Sequence, residues 1–184
     1  AYIAGGFIRA YFAGEAPSDM DLYFAAQDNF DAALSTLKDE GWEVGFETDR
    51  AVSMKQGGKL VQLIRFVFDP SPASLIGRFD FTVCAAALVI YAWGEDAAGD
   101  LILHDGFFEH LAGRILVFQG SPLPLSSLKR VVKYIKRGYS ICDENLIALA
   151  EAISKAVEFD KPESVKEHMA GMDPAGGRRI RVID

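Results

Sequence analysis

Asp19 and Asp21 stand one residue apart in "SDMDLYF", residues 18–24, among apolar Met20, Leu22 and Phe24. In an extended chain alternate side chains share a face, so Asp19, Asp21 and Tyr23 point one way and the apolar three the other. The apolar face belongs in a core. The acidic face sets two carboxylates side by side, with Cα atoms about 6–7 Å apart. The segment "RFDFTVC", residues 78–84, repeats the pattern, with Asp80, Thr82 and Cys84 on one face and Phe79, Phe81 and Val83 on the other. If the two are neighbouring strands, three carboxylates converge. At this spacing and an effective dielectric near 20, each pair repels by roughly 2–3 kcal/mol. A domain tolerates that where a cation is bound, or where the groups splay into water. Oxygen-only ligands suit Mg2+ or Mn2+, and three aspartates can hold two such ions for in-line displacement at phosphorus. The competing reading is the solvated side of an edge strand, which D-x-D alone would favour; Asp80 brings the metal reading level with it.

Two further groups of residues could serve the same chemistry. Gly5-Gly6 falls where a strand turns into a helix, and bare backbone there can approach a phosphate. Arg9 lies one turn on, either aimed at the same anion, bridging to a carboxylate, or facing solvent beside an ordinary tight turn. Between residues 129 and 137 stand Lys129, Arg130, Lys133, Lys136 and Arg137, interleaved with Val131, Val132 and Ile135. Leu128, Val132, Ile135 and Tyr139 fall near one helical stripe that is expected to pack on the domain, leaving Arg130, Lys133 and Arg137 on a neighbouring face. Those cations suit a polyanionic substrate, or else form a solvated amphipathic helix. His104, His110 and His168 have no metal-ligand spacing with cysteine, which argues against zinc. No G-x-S-x-G elbow or Walker A motif occurs, and Ser126 and Ser127 read as helix-start residues.

The elements that must position these groups follow from periodicity. Strands are predicted at 2–4, 19–24, 42–48, 51–55, 59–68, 79–84, 88–93, 101–103 and 115–118, with "KQGGK" as a hairpin turn and "GEDAAGD" as another. Helices are predicted at 7–13, 28–40, 107–112, 125–137 and 144–159, and "DPSPAS" opens a single helical turn. From Lys161 the chain reads as polar and Gly-rich, and Arg178, Arg179 and Arg181 as a solvated basic ending. Mixed strands and helices followed by helices alone predict an α+β fold, a mixed β-sheet palm over residues 1–122 with a helical segment and tail over 123–184.

At 184 residues and a formal net charge of −7 the chain is expected to be one globular unit, unsuited to generic coating of nucleic acid. Its two cysteines, Cys84 and Cys142, form no C-x-x-C and read as buried free thiols of a reducing compartment. The longest apolar run, 83–93, falls short of the roughly 20 residues a membrane helix needs. Gly5, Gly6 and Arg9 interrupt any signal-peptide core, so a cytoplasmic setting is expected. Strand-like residues begin almost at Ala1, consistent with trimmed upstream sequence.

Taken together, "GGFIR", "SDMDLYF" and "FDFTV" resemble the nucleotidyltransferase superfamily that includes DNA polymerase beta, and most of all the head domain of CCA-adding and poly(A) polymerase-type enzymes. The resemblance covers residues 2–24 well, 79–84 acceptably and the helix from Leu125 loosely. It implies a GG-x-x-R turn, here Gly5, Gly6 and Arg9, under the triphosphate of an NTP such as ATP. It implies that Asp19 and Asp21 hold two divalent metals (Mg2+ or Mn2+) and that Asp80 completes the set and takes the acceptor's proton. Ser18, Arg130 and Lys133 join the implied nucleotide-binding residues. Ala10 stands where CCA-adding enzymes usually carry an aspartate used in sugar recognition, and the chain lacks the long helical body that holds tRNA. CCA addition therefore does not carry over; a small nucleotidyltransferase of phage or bacterial type does, with RNA, protein or a small molecule as acceptor. A non-catalytic module of the same fold, or a toxin–antitoxin-type interaction protein, is the alternative.

Overall fold

A computed structural model describes residues 1–92 and 98–170. The chain runs β1 (Tyr2–Ala4), α1 (Gly6–Phe12), β2 (Met20–Phe24), α2 (Gln27–Asp39), β3 (Glu43–Glu47), β4 (Ala51–Gln56), β5 (Lys59–Phe68) and α3 (Pro72–Ile76). A 3-10 turn at Thr82–Cys84 precedes β6 (Ala86–Ala92), β7 (Ala98–Leu103), α4 (Phe107–Gly113) and β8 (Ile115–Leu116). Then come α5 (Pro124–Ile135), β9 (Ser140–Ile141), α6 (Asp143–Ala156) and α7 (Pro162–Ala170). Seven strands form one mixed sheet in the order β3-β4-β5-β2-β1-β6-β7. The β2–β5 pair is parallel and the other neighbours are antiparallel. This is the α+β architecture expected.

Alternation along the strands divides the core between the two sides of the sheet. Ile3, Leu22, Phe24, Val52, Met54, Val61 and Leu63 pack with Ile8 of α1, Phe30 of α2 and Val131 and Tyr134 of α5. Tyr2, Ala4, Tyr23, Ala51 and Ile64 pack on the other side with Leu75 and Ile76 of α3. The β4–β5 hairpin closes through Gly57 and Gly58, both with positive φ (55° and 78°), a turn only glycine-like residues make cheaply. Serine 71 caps α3, its side chain accepting from the Ser74 amide, with Pro72 at the first helical position.

Several expectations are corrected. Residues 79–84 are not a strand: Asp80 sits in a bend, Phe81 makes a single bridge to Phe118, and Thr82–Cys84 curl into the 3-10 turn. Both faces of that segment are buried, Asp80, Thr82 and Cys84 as well as Phe81 and Val83, so its polarity alternates but its exposure does not. Helix α5 is turned by about one residue from the expected stripe, burying Ser127, Val131 and Tyr134 and leaving Val132 and Ile135 half exposed (50% and 51%). The polar stretch from Lys161 contains α7, started by Pro162 and tied to α5 by Lys129 Nζ donating to the Met169 carbonyl at 2.9 Å.

The expected C-terminal segment from residue 123 begins just before α5; its β9 pairs with β8, and its Tyr139 and Leu149 join the main core. Cys84 is buried but Cys142 is exposed, and both are free thiols. The "GEDAAGD" turn falls largely on residues 93–97, and the tail arginines on 171–184, outside the described residues. No helix among the described residues is long and apolar enough to cross a membrane.

Candidate functional site

A cavity of about 490 Å³ opens where the start of β2 meets α1, the bend at Asp80 and the charged side of α5. Asp19, Asp21 and Asp80 all line it, as do Arg9, Lys129, Arg130, Lys133 and Arg137. Gly6 and Ser18 lie on its wall too, so every expected site residue but Gly5 is brought to one place.

β2 sets the acidic wall. Asp19, just before the strand, and Asp21 within it are half buried on the same face. Gln62 lies opposite Asp21 in the parallel pairing with β5, and its Nε2 donates to Asp19 Oδ2 at 2.6 Å. Ser18 Oγ donates to Asp19 Oδ1 at 2.5 Å. Tyr23, next along that face, is 2% exposed and its Oη is buried without a hydrogen-bond partner among the described residues. Burial pushes its phenol well above the usual range near 10, with the charges of Asp21 and Asp80 adding and Arg130 opposing.

Asp80 arrives differently. It is 4% exposed, and Arg130 Nη1 donates to its Oδ2 at 2.5 Å. The pairing joins α5 to the bend after α3. Gln119 steadies that bend, its amide nitrogen donating to the Phe79 and Ile76 carbonyls and its backbone N–H to that of Asp80.

Arg9 is neither solvent-facing nor open to an anion on every side. It is 2% exposed, with Nη2 on Glu15 at 2.9 Å and Nη1 on the Tyr139 hydroxyl at 3.2 Å. Its guanidinium lies 5.3 Å from the Tyr134 ring centroid and 6.0 Å from that of Tyr139. Such stacking holds a cation in an apolar setting. Burial works against its charge, but the Glu15 bond and its aromatic neighbours raise its pKa further. Glu15 also takes Arg137, at 3.5 Å, and the Arg9 hydrogen bond holds its carboxyl below the usual range. Cys84 closes the floor, its thiol 2.9 Å from Tyr134 Oη and pushed up to about 11 by burial.

Gly5 and Gly6 part company. Gly5 has φ +80°, its N–H donates to the Ala86 carbonyl, and a Cβ there would lie 2.8 Å from the Phe79 ring. It is a buried hinge rather than a lining residue. Gly6 is exposed, and a Cβ on it would meet nothing within 4 Å. Lys133 is exposed at the rim with no hydrogen bond or ion pair among the described residues.

The donor set for a divalent cation is partial. Asp19 and Asp21 offer half-buried carboxylates on one face, the oxygen chemistry Mg2+ and Mn2+ take. Among the described residues no three His, Cys, Asp or Glu side chains gather into a metal-binding group, and Asp80 Oδ2 is occupied by Arg130. The residues therefore fit a cation at Asp19 and Asp21, and the set does not reach Asp80 while Arg130 holds it.

Residues 1–114 match the family model described as Gabija anti-defense 2 family protein. The chain belongs to the Gabija anti-defense 2 family. A relative of that name from Bacillus phage SPbetaL7 is 30% identical over 173 residues, 94% of this chain but 42% of the relative. The chain thus spans less than half the length of that relative. Among solved structures, a CCA-adding enzyme with ATP superposes with a TM-score of 0.62 at 16% identity, over 92% of this chain and 42% of the other. A tRNA nucleotidyltransferase complexed with a primer tRNA and an incoming ATP analog gives 0.61 at 18% identity, over 90% and 52%. The Thermotoga maritima CCA-adding enzyme complexed with tRNA gives 0.59 at 18% identity, over 94% and 46%. This member of the Gabija anti-defense 2 family accordingly has a nucleotidyltransferase-like fold.

Sequence reading of this Gabija anti-defense 2 family member missed Gln62, Tyr23, Glu15 and Tyr134 as cavity or supporting residues. Gln62 carried a signal, as a polar side chain inside "LVQLI". Glu15 and Tyr134 carried none, because their roles arise only where α1 and α5 meet.

Proposed function

We propose that this domain binds a nucleoside triphosphate in the cavity and transfers its nucleotidyl group to an acceptor hydroxyl, releasing pyrophosphate. The observation that carries this reading is the lining itself, three aspartates facing five Lys and Arg side chains in one cavity of a nucleotidyltransferase-like fold. Cations on α5 and α1 suit the phosphates, and Gly6 leaves room for them. A divalent ion, when bound, would sit at Asp19 and Asp21 and supply charge neutralisation at phosphorus. The acceptor oxygen forms its bond to the α-phosphorus as the bond to the bridging oxygen of pyrophosphate breaks. The acceptor's proton passes to Asp80, whose Oδ1 has no hydrogen-bond donor among the described residues. Arg130 positions that carboxylate. Within the family the transfer would serve anti-defence against Gabija, with RNA, protein or a small molecule as acceptor.

One observation favours a second reading, a binding module without turnover: Arg130 occupies Asp80, and no group of three metal ligands is assembled among the described residues. Incubation with each α-labelled NTP, Mg2+ and bacterial cell extract separates the two. Transfer predicts a labelled acceptor and free pyrophosphate, both lost in Asp19→Ala; equal labelling by that variant would refute it. Nucleotide binding with neither product would support the module.

A further inference from the structure

Gln62 is a polar side chain at a place where the sheet calls for an apolar one. It stands on β5, between β4 and β2, 4% exposed and on the same face as buried Ile64. A buried amide is costly unless it is hydrogen-bonded, and an apolar side chain of similar length would fill the same space. Its one hydrogen bond among the described residues runs from Nε2 to Asp19 Oδ2 at 2.6 Å. An ionised carboxylate only accepts, so the amide must turn its NH2 towards Asp19. Ser18 Oγ holds the other oxygen, Oδ1, at 2.5 Å. Asp19 is therefore fixed at both oxygens, and each keeps a lone pair for a further partner. Gln62 is also the register partner of Asp21 in the parallel pairing of β2 with β5, and it lines the cavity with both aspartates.

What the amide lacks matters as well. A glutamate at this position has the same length, but its carboxylate could not donate to Asp19 and would add a third negative charge beside Asp19 and Asp21. We propose that Gln62 is a positioning residue of the cation site: its amide holds the Asp19 carboxylate ready for a divalent ion, and its neutrality keeps the acidic wall stable while the site is empty. The inference rests on the reading of Asp19 and Asp21 as the ion's ligands. Gln62 touches neither the nucleotide nor the reacting atoms in this scheme, and acts through Asp19.

Two variants of the full chain, Gln62→Met and Gln62→Glu, test this with Mn2+ alone. The readouts are calorimetric affinity for Mn2+ and melting temperature in chelator and in saturating Mn2+. Gln62→Met removes the donor at nearly constant length, and Mn2+ is expected to bind it about tenfold more weakly than the parent. Gln62→Glu is expected to melt below the parent in chelator, and to gain more from saturating Mn2+ than the parent does, since the ion relieves the added repulsion. Lowered melting of Gln62→Met with unchanged Mn2+ affinity would overturn the assignment, because the amide would then only support the fold. A Gln62→Glu variant that Mn2+ raises no more than the parent would overturn it too, because position 62 would not face the ion. Either result in a parent that binds Mn2+ removes Gln62 alone and leaves the cation reading standing. A parent that binds no Mn2+ brings down that reading and this inference with it.

Discussion

Arg130 and Asp80 form a bond across 50 residues of chain, Nη1 to Oδ2 at 2.5 Å, with the carboxylate buried and the guanidinium 29% exposed. It fixes α5 against the bend and sets the spacing between the acidic and basic walls of the cavity. Removing one partner leaves a buried charge without compensation. Arg130→Ala should therefore lower unfolding free energy by about 3 kcal/mol, the low end for a buried pair because Arg130 keeps some solvent contact. Adding Asp80→Asn should recover most of the loss; urea titration of the single and double variants checks both.

Glu15 gives the fold an acid-sensitive joint. Its carboxyl is held below the ordinary glutamate range, first by the Arg9 hydrogen bond. A depressed folded-state pKa contributes stability that is full above the unfolded value, about 4.3, and is lost as pH falls through the folded one. Stability should thus decline on acidification below about pH 5, and Glu15→Gln should flatten that part of the profile. Asp69 contributes in the same sense: burial opposes its charge, but the Ser71 amide, Ser74 and Arg78 outweigh it. Glu15→Gln should accordingly reduce the acid slope without abolishing it.

The paired glycines should respond oppositely. Gly5→Ala forces a side chain into positive φ and against Phe79, and should cost more than about 1 kcal/mol in stability. Gly6→Ala occupies open space at the first position of α1, so melting should be unchanged or slightly raised. Its methyl group enters the cavity, and nucleotide affinity should fall. Melting curves with and without Mg2+ and NTP separate the two effects.

Thiol reactivity should report the fold. Cys142 is exposed, whereas Cys84 is buried and pushed up to about 11. The thiolate is the reactive form, so one thiol should react quickly with a maleimide at pH 7.5 and the second only after unfolding. Two fast thiols would mean that the cavity floor is open.

Local patterns carried much of this architecture. The strands of Tyr2–Ala4 and Lys59–Phe68 and the Gly57-Gly58 hairpin follow from alternation and turn chemistry, and β2 placed Asp19 and Asp21 on one face. Asp80 reaches the cavity by a route its alternating pattern does not contain. Its alternating surroundings suggested a strand, but it reaches the cavity from a bend held by Gln119 and by Arg130, far away in sequence. The α5 stripe departs from its periodicity because Ser127, small and fully buried, lies on the packed face while Val132 and Ile135 do not. Periodicity ranks side chains by polarity, and close helix packing selects them by size. Helix α7 was hidden in a polar stretch, although Pro162 marked its start.

Calorimetric titration of Mn2+ and a non-hydrolysable NTP into the parent chain and into Asp19→Asn and Asp21→Asn tests the account most directly. Nucleotide should bind the parent only with the divalent ion present, and each substitution should weaken that coupled binding by at least about tenfold. Affinity that ignores the metal, or that survives loss of both carboxylates, would contradict a cation-assisted nucleotide site in this cavity.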